Sequence, residues 1–531
     1  MKKIKRKIKK IRVKNLLFAS LIFLLIIPRI LVFITNEDYF GGDFAFYYLM
    51  TKTIVIDHEL PLLGHIVGDL GGFSQGVFWS YILIVPFIIF DGNPIGGKVY
   101  MFFISILVLI FGSIVSWKYI GKKEALIISI LLGISPYLIR WTAHVWPPYT
   151  IPLITLWYLF FLILFLLKNE KKYFILMTAS IGAMAHFEIA STALLIPSFM
   201  TLVVYFFYKK MINLGILIKA ALVFGLFFIP HLIYDINSRF YNLKGIINVL
   251  TPNTQTTSIG FQSVLEDRLH LFKTDLIAVF PIFDYRILLV IFIYFLLGFL
   301  LLMREREIKK WKKIFTFHIL SIIPITFIGV FLIPVERASF WWFTYLTIIY
   351  IFFSGIIMGF LFSKNIIFKI SIGFIFLYTI YSSIDNFKII QTEEISLRSV
   401  KYDIGIQAPI EYIYEDSKDK PFRVLYITGN NKVTDYKYMF WYIGKSKYNN
   451  SQALRSFDFN FKNSNGSPIL INEKDQFQNL KKGTYYIIVS DSLPNDYYKN
   501  IAGVKPKGTL IGIKRVGNGV KSFIVEKRII E

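Results

Sequence analysis

Four stretches of this chain hold polar side chains whose types and spacing could do chemistry. The first reads NEDYFGGDFAFYYLMTKTIVIDHELPLLGH and holds Glu37, Asp38, Asp43, Asp57 and Glu59. Asp43 follows Gly41 and Gly42 and precedes a helix-like run. A carboxylate so placed could take a proton from a hydroxyl or help hold a divalent cation, although an N-cap role alone would also explain an Asp there. In WTAHVWPPYT, His144 lies after Arg140 and Trp141 and ahead of Pro147 and Pro148. The prolines stiffen the chain and would hold His144 and Trp146 at a defined place; the same residues would also suit an aromatic belt at the headgroup level. His186 and Glu188, in GAMAHFEIAS, interrupt apolar sequence near the end of a span, where ionisable groups are costly and mark sites. Two residues apart on an unbroken helix, they would point about 200° from each other, which argues against a shared metal. Arg337, beside Glu336 in IPVERASFWW, could hold a phosphate in bidentate fashion, pair with that glutamate, or reach to lipid headgroups.

The elements that must position these groups are set by composition. Of 531 residues, 55% are hydrophobic and 18% aromatic, and the mean hydropathy is +0.56. This surplus over an ordinary soluble chain calls for a hydrocarbon solvent. The apolar residues fall in eleven blocks of roughly 20, about what a helix needs to cross a bilayer, at 15–34, 99–117, 125–139, 149–167, 173–186, 189–208, 214–233, 287–303, 314–333, 340–362 and 366–384. Cysteine is absent, which excludes disulfides and thiolate chemistry. The net charge of +25 does not imply a nucleic-acid partner, because nine of the first fourteen residues are basic and stand directly before an apolar block. They read as a cytoplasmic tether beside an uncleaved first span.

Starting from an inside N-terminus, each inner connection receives lysine or arginine, the densest being Arg304, Arg306, Lys309, Lys310, Lys312 and Lys313. Segment 76–90 is apolar but short and would invert every later loop if it crossed, so it is expected to be interfacial or re-entrant on the outer side. With that parity, the candidate residues collect at the outer face. Beyond 384, short β-like runs at 422–427, 484–489, 509–513 and 522–525 alternate with polar stretches. The expected architecture is an α-helical polytopic membrane bundle of about eleven spans with a C-terminal α/β or α+β extracytoplasmic domain. Its parts are a basic cytoplasmic N-terminus (1–14), a membrane domain (15–384) with a first outer loop at 35–75, and a soluble domain (385–531).

The order of these features resembles a known group. A basic N-terminus, one span, an outer loop with an acid before an amphipathic helix, then DHELPLLG and GGFSQGVFWSYILIVPFIIF, together resemble membrane glycosyltransferases of the GT-C type. The look is nearest to the family 39, protein-mannosyltransferase-like group. LLGISPYLIRWTAHVWPPYTIPL, GAMAHFEIAS and FFIPHLIYDINSRF look like its bacterial and archaeal members. The resemblance covers 15–240 by sequence and the rest by architecture. It implies a helical bundle with an outer-face cavity that takes sugar from a polyprenyl-phosphate carrier, with inversion at the anomeric carbon.

By this resemblance Asp43 stands where the family has its first-loop catalytic carboxylate. His144 stands near a second outer loop that often supplies an acid. Here that loop has neither Asp nor Glu, so a metal-bridged arrangement loses its support and a divalent cation is optional. The expected roles are Asp43 as base, Arg140 and Arg337 on the leaving phosphate, and His144, His186 and Glu188 around the sugar. The expected partners are the polyprenyl-phosphate-linked sugar, a glycan, lipid or protein acceptor, and membrane lipid. Two other readings stay open: a lipid-linked saccharide transporter or flippase, and a non-catalytic envelope assembly protein. Against the first stands the gathering of polar groups at one face without a visible repeat.

Overall fold

The computed structural model describes residues 2–35, 40, 42–67, 73–250, 261–280, 285–332, 338–398, 402–418, 420, 422–427, 433–448, 483–490, 509–517 and 522–530. Each of the eleven apolar blocks is helical. Among the described residues, eight helices are long and apolar enough to cross a membrane, and a ninth span results if Leu214–Leu226 and Ile229–Asn237, bent by 59°, count as one. The count by length is below the expected eleven because Lys122–Ile134 and Lys171–Met184, of 13 and 14 residues, fall short of a bilayer on their own. Both lie buried along much of their length, so protein rather than lipid surrounds them. The apolar run Phe78–Ile89 is also too short to span, in keeping with its expected non-spanning placement.

The chain divides into two compact units. The first holds residues 1–36, 62–79 and 97–391. At its centre, Phe340–Phe343 leads into Thr344–Leu361, every residue of which is buried. This helix packs against Lys122–Ile134, Ile151–Lys168, Phe261–Val279, Tyr285–Arg304 and Lys310–Leu332. Glycines let it approach: a Cβ at Gly359 would meet the Glu124 backbone nitrogen at 2.9 Å. Glu124, in the first turn of its helix, pairs with Lys312, where the helix dipole also favours a carboxylate.

One buried charge organises this unit. Arg29, inside the helix Lys2–Thr35, is wholly buried. Its Nε donates to Ser105 Oγ at 2.9 Å, and its Nη atoms donate to the carbonyls of Leu132 (2.8 Å), Gly133 (3.1 Å) and Leu25 (3.3 Å). Those first two carbonyls close the helix Lys122–Ile134, where the partial charge is negative. Ser105 passes the network on, donating to Leu138 O at 3.1 Å and accepting from Thr142 Oγ1 at 2.9 Å.

The second unit holds residues 37–61, 80–96 and 392–531. Its strands β3 (Arg423–Ile427), β4 (Gly483–Ser490), β5 (Thr509–Gly517) and β6 (Ser522–Ile530) form a mixed sheet in the order β3-β4-β6-β5. β3 runs parallel to β4, and the other pairs are antiparallel. These are the four β-like runs of the sequence, the last three longer than expected and the first one residue shorter. The preceding strands, β1 (Leu63–Val67) and β2 (Phe73–Gly76), form a hairpin in the first unit. In the C-terminal part Tyr414, Phe422, Phe440 and Tyr486 make a ring cluster over the sheet, and Asp416 accepts from Tyr486 Oη (2.6 Å) and Lys527 Nζ (2.8 Å).

Because Arg29 serves several acceptors from a planar fork, Arg29→Leu is expected to lower stability by roughly 2–3 kcal/mol. Arg29→Lys should recover under half of that loss, since an ammonium cannot reach acceptors in the same directions. Thermal unfolding of the purified chain in detergent checks this, and an unchanged melting profile for Arg29→Leu would contradict it.

Candidate functional site

Between Lys171–Met184 and Ile189–Tyr208 the chain leaves the helix for one turn. The amides of His186, Phe187 and Glu188 close back on Ala183 and Met184 at 3.1, 3.0 and 3.0 Å. The unbroken helix assumed for His186 and Glu188 is therefore absent, and the two side chains leave from a turn. Glu188 is the N-cap of Ile189–Tyr208: its Oε1 accepts from Ala190 N at 3.2 Å. At 1% exposure a carboxylate needs such partners, and the helix N-terminus supplies positive partial charge. Its other oxygen accepts from Gln75 Nε2 at 3.4 Å.

His186 is equally buried. Its ring lies flat on Phe78, centroids 3.6 Å apart, and its Nε2 donates to Phe227 O at 2.6 Å. Phe227 sits at the 59° bend, where carbonyls leave the regular helical ladder and need other donors. Glycine is required opposite, because a Cβ at Gly76 would come within 2.0 Å of His186 Nδ1.

The hairpin β1–β2 is tied to the same place. Ser74 N donates to Asn242 Oδ1 at 2.6 Å, while Asp235 Oδ1 accepts from Asn242 N (2.8 Å) and Leu243 N (3.2 Å) at the start of Tyr241–Leu250. His231, one turn before Asp235, is buried with its ring 5.6 Å from that of His186. His231, Asp235 and Asn242 were missed by the sequence reading. The available signal was His and Asp four residues apart in FFIPHLIYDINSRF, hence on one face of an apolar helix.

A second gathering joins two distant loops. Ser135 caps Pro136–Arg140, and Arg140 ends that helix exposed. Trp141 stacks on Tyr149 at 4.8 Å, Trp146 meets Tyr149 edge-on at 5.1 Å, and Trp146 meets Trp341 at 5.1 Å. His144 lies half-buried between them in extended backbone. Burial, and then the nearby Arg140 charge, push its imidazole down to about 4.

Asp43 begins the helix Asp43–Val55 and is half-buried. Gly42, at φ 54°, takes the N-cap position, so Asp43 is the first helical residue rather than the cap. It belongs to the second unit, whereas Arg140, His144, His186 and Glu188 belong to the first. Arg337, with Glu336, Glu37 and Asp38, lies outside the described residues. Among the described residues no three His, Asp or Glu side chains gather as a metal-holding group.

Comparison with known proteins gives the class first. No family model matches the chain, and no curated protein matches it in sequence. The fold nevertheless is that of the GT-C membrane glycosyltransferases, as the first-loop motifs suggested. The particular likeness is to ArnT from Cupriavidus metallidurans. In its apo state it superposes with TM-score 0.57 at 11% identity, and bound to undecaprenyl phosphate with TM-score 0.56 at 9% identity; each match covers 96% of this chain and 97% of that one. The Archaeoglobus fulgidus oligosaccharyltransferase AglB, in complex with an inhibitory peptide and a dolichol-phosphate, is looser at TM-score 0.49 and 12% identity, covering 90% of this chain and 70% of its own. Together with its apolar helices, the fold makes this a multi-pass membrane protein.

Glu188→Ala is expected to cost about 1–2 kcal/mol through the lost cap. Glu188→Gln, which keeps an acceptor oxygen, should cost less; equal melting temperatures for the parent and the Ala variant would contradict the capping role. For His144 the folded value lies below the ordinary 6.5, so between roughly pH 6.5 and 4 the unfolded chain takes up a proton that the folded chain refuses. Stability therefore falls on acidification through that window. The difference in melting temperature between about pH 7 and about pH 5 should be smaller in His144→Gln than in the parent.

Proposed function

We propose that this protein is a membrane glycosyltransferase that moves a sugar from a polyprenyl-phosphate carrier to an acceptor hydroxyl on a glycan, lipid or protein. The observation that supports this reading best is the end-to-end fold match, over 96% of this chain and 97% of the other, to a structure holding undecaprenyl phosphate. The basic inner connections favour a cytoplasmic N-terminus and an extracytoplasmic C-terminal domain, which puts the reaction at the outer face of the cell membrane.

In this reading Asp43 removes the acceptor hydroxyl proton as the hydroxyl oxygen bonds to the anomeric carbon. The bond from that carbon to the phosphate oxygen breaks, and its electron pair leaves on polyprenyl phosphate. Attack in line with the departing oxygen inverts the anomeric centre. Fixed positive charge at Arg140 and Arg337 offsets the charge that develops on the leaving phosphate. His144, neutral at pH 7, gives a polar contact to sugar without repelling those arginines. The His186 and Glu188 turn, with the hairpin it holds, walls the sugar side.

The test supplies the purified chain, in lipid nanodiscs, with undecaprenyl phosphate carrying labelled hexoses or pentoses, and follows release of undecaprenyl phosphate and transfer of label. Asp43→Asn is expected to slow release by about 100-fold or more while binding of undecaprenyl phosphate persists. Release near the parent rate in Asp43→Asn would remove Asp43 as base. Label that crosses the bilayer uncleaved would identify a carrier instead.

A further inference from the structure

The second unit joins segments far apart in sequence. The helix Val433–Tyr448 of the C-terminal part packs directly on Asp43–Val55, which in turn packs on Ile84–Ile89. At the contact, Tyr438 is wholly buried. Its ring lies 5.1 Å from Phe40 and 5.6 Å, edge-on, from Tyr48, and its hydroxyl donates to the Gly92 carbonyl. Phe40 and Tyr48 both meet Phe44 at 4.9 Å, so the aromatic cluster flanks Asp43 on either side in sequence. One turn on, Trp441 stacks on Phe87 at 5.7 Å and lies over Gly92. Gly92 has φ +80°, and a Cβ there would meet the indole at 2.8 Å, so both its conformation and its neighbour require glycine.

This amounts to more than an exposed contact. The polar link between Lys445 and Asp91 at its edge is exposed and adds little, whereas the buried rings fix the helix from one flank by shape. The other flank is held separately by packing on Ile84–Ile89, with Thr51 Oγ1, which donates to Tyr47 O at 2.8 Å, also within 3.1 Å of Ser80 O. A helix held from two sides presents its first residue in one orientation, and reactions that depend on a positioned base lose rate steeply when that orientation loosens.

We infer that Tyr438 and Trp441 are positioning residues for Asp43, which makes the C-terminal domain a working part of the transfer machinery. The inference rests on the proposed role of Asp43 as base. It does not require either aromatic residue to touch substrate.

The chain has no cysteine, so Ile56→Cys, at the C-cap of Asp43–Val55, and Ser446→Cys, in Val433–Tyr448, place one spin label on each side of the contact. The distance between labels is read by pulsed electron resonance in the full-length chain. The expected parent result is one narrow distribution that broadens in Tyr438→Ala and in Gly92→Ala, the latter acting from the opposite side of the contact. Release of undecaprenyl phosphate should fall by about tenfold or more in Tyr438→Ala and Trp441→Ala, with KM for the lipid-linked sugar changed by less than about twofold. Tyr438→Phe, which keeps the ring, should retain most of the rate. In an Asp43→Asn background Tyr438→Ala should cause no further loss. Narrow distances in every variant would overturn the inference, as would broadened distances with a parent kcat, or a tenfold loss that persists without Asp43. Parent activity in Asp43→Asn alone would instead remove the base, a result separate from the label distances.

Discussion

A bilayer interior has no water to solvate a guanidinium, so an arginine placed there dictates the arrangement of whatever receives its protons. Arg29 has this position in the first unit. Its fork gathers a serine from Ile95–Val115 and two carbonyls from the end of Lys122–Ile134, groups that three separate helices bring to one point. The carbonyls are those that a helix leaves without internal donors, so the charge and the helix end answer each other's need. Through Ser105 and Thr142 the same network reaches the short helix that ends at Arg140. The loop with His144 and Trp146 thus follows a segment tied to that network.

The turn at 185–188 works by a similar economy. Leaving the helix creates an N-terminus, which Glu188 caps, and meets a bend whose carbonyl receives the His186 proton. Both side chains are thus committed to joining elements, and through Gln75 and Gly76 they meet the first-loop hairpin. They give that hairpin a fixed backing. Two short strands with few hydrogen bonds would not hold a shape by themselves.

The sequence made the large elements readable because lipid imposes a strong pattern. Blocks of about 20 apolar residues became helices, and the runs FRVLYI and TYYIIV, β-branched and aromatic between polar stretches, became an edge strand and a central strand. The details of the site were harder to read. LGHIV and FSQG are too short to show a strand period, and their ties to Asn242 and Glu188 lie far along the chain. The break before Glu188 carries no proline or glycine, and glutamate is not among the favoured caps. Arg29 gave no local signal, because its partners in the other helices lie 76 to 104 residues away. The meeting of Trp146 with Trp341 likewise joins loops that no local pattern links.

The central helix Thr344–Leu361 is as greasy as its lipid-facing neighbours, yet none of it faces lipid. The five helices it chiefly packs against all precede it in the chain. As the ribosome delivers the protein, the faces of these helices that meet it lack their partner until this segment arrives. Closure of the bundle is consequently a late event in biogenesis, and a nascent chain halted before Phe340 would carry a lengthwise apolar trough open to the bilayer.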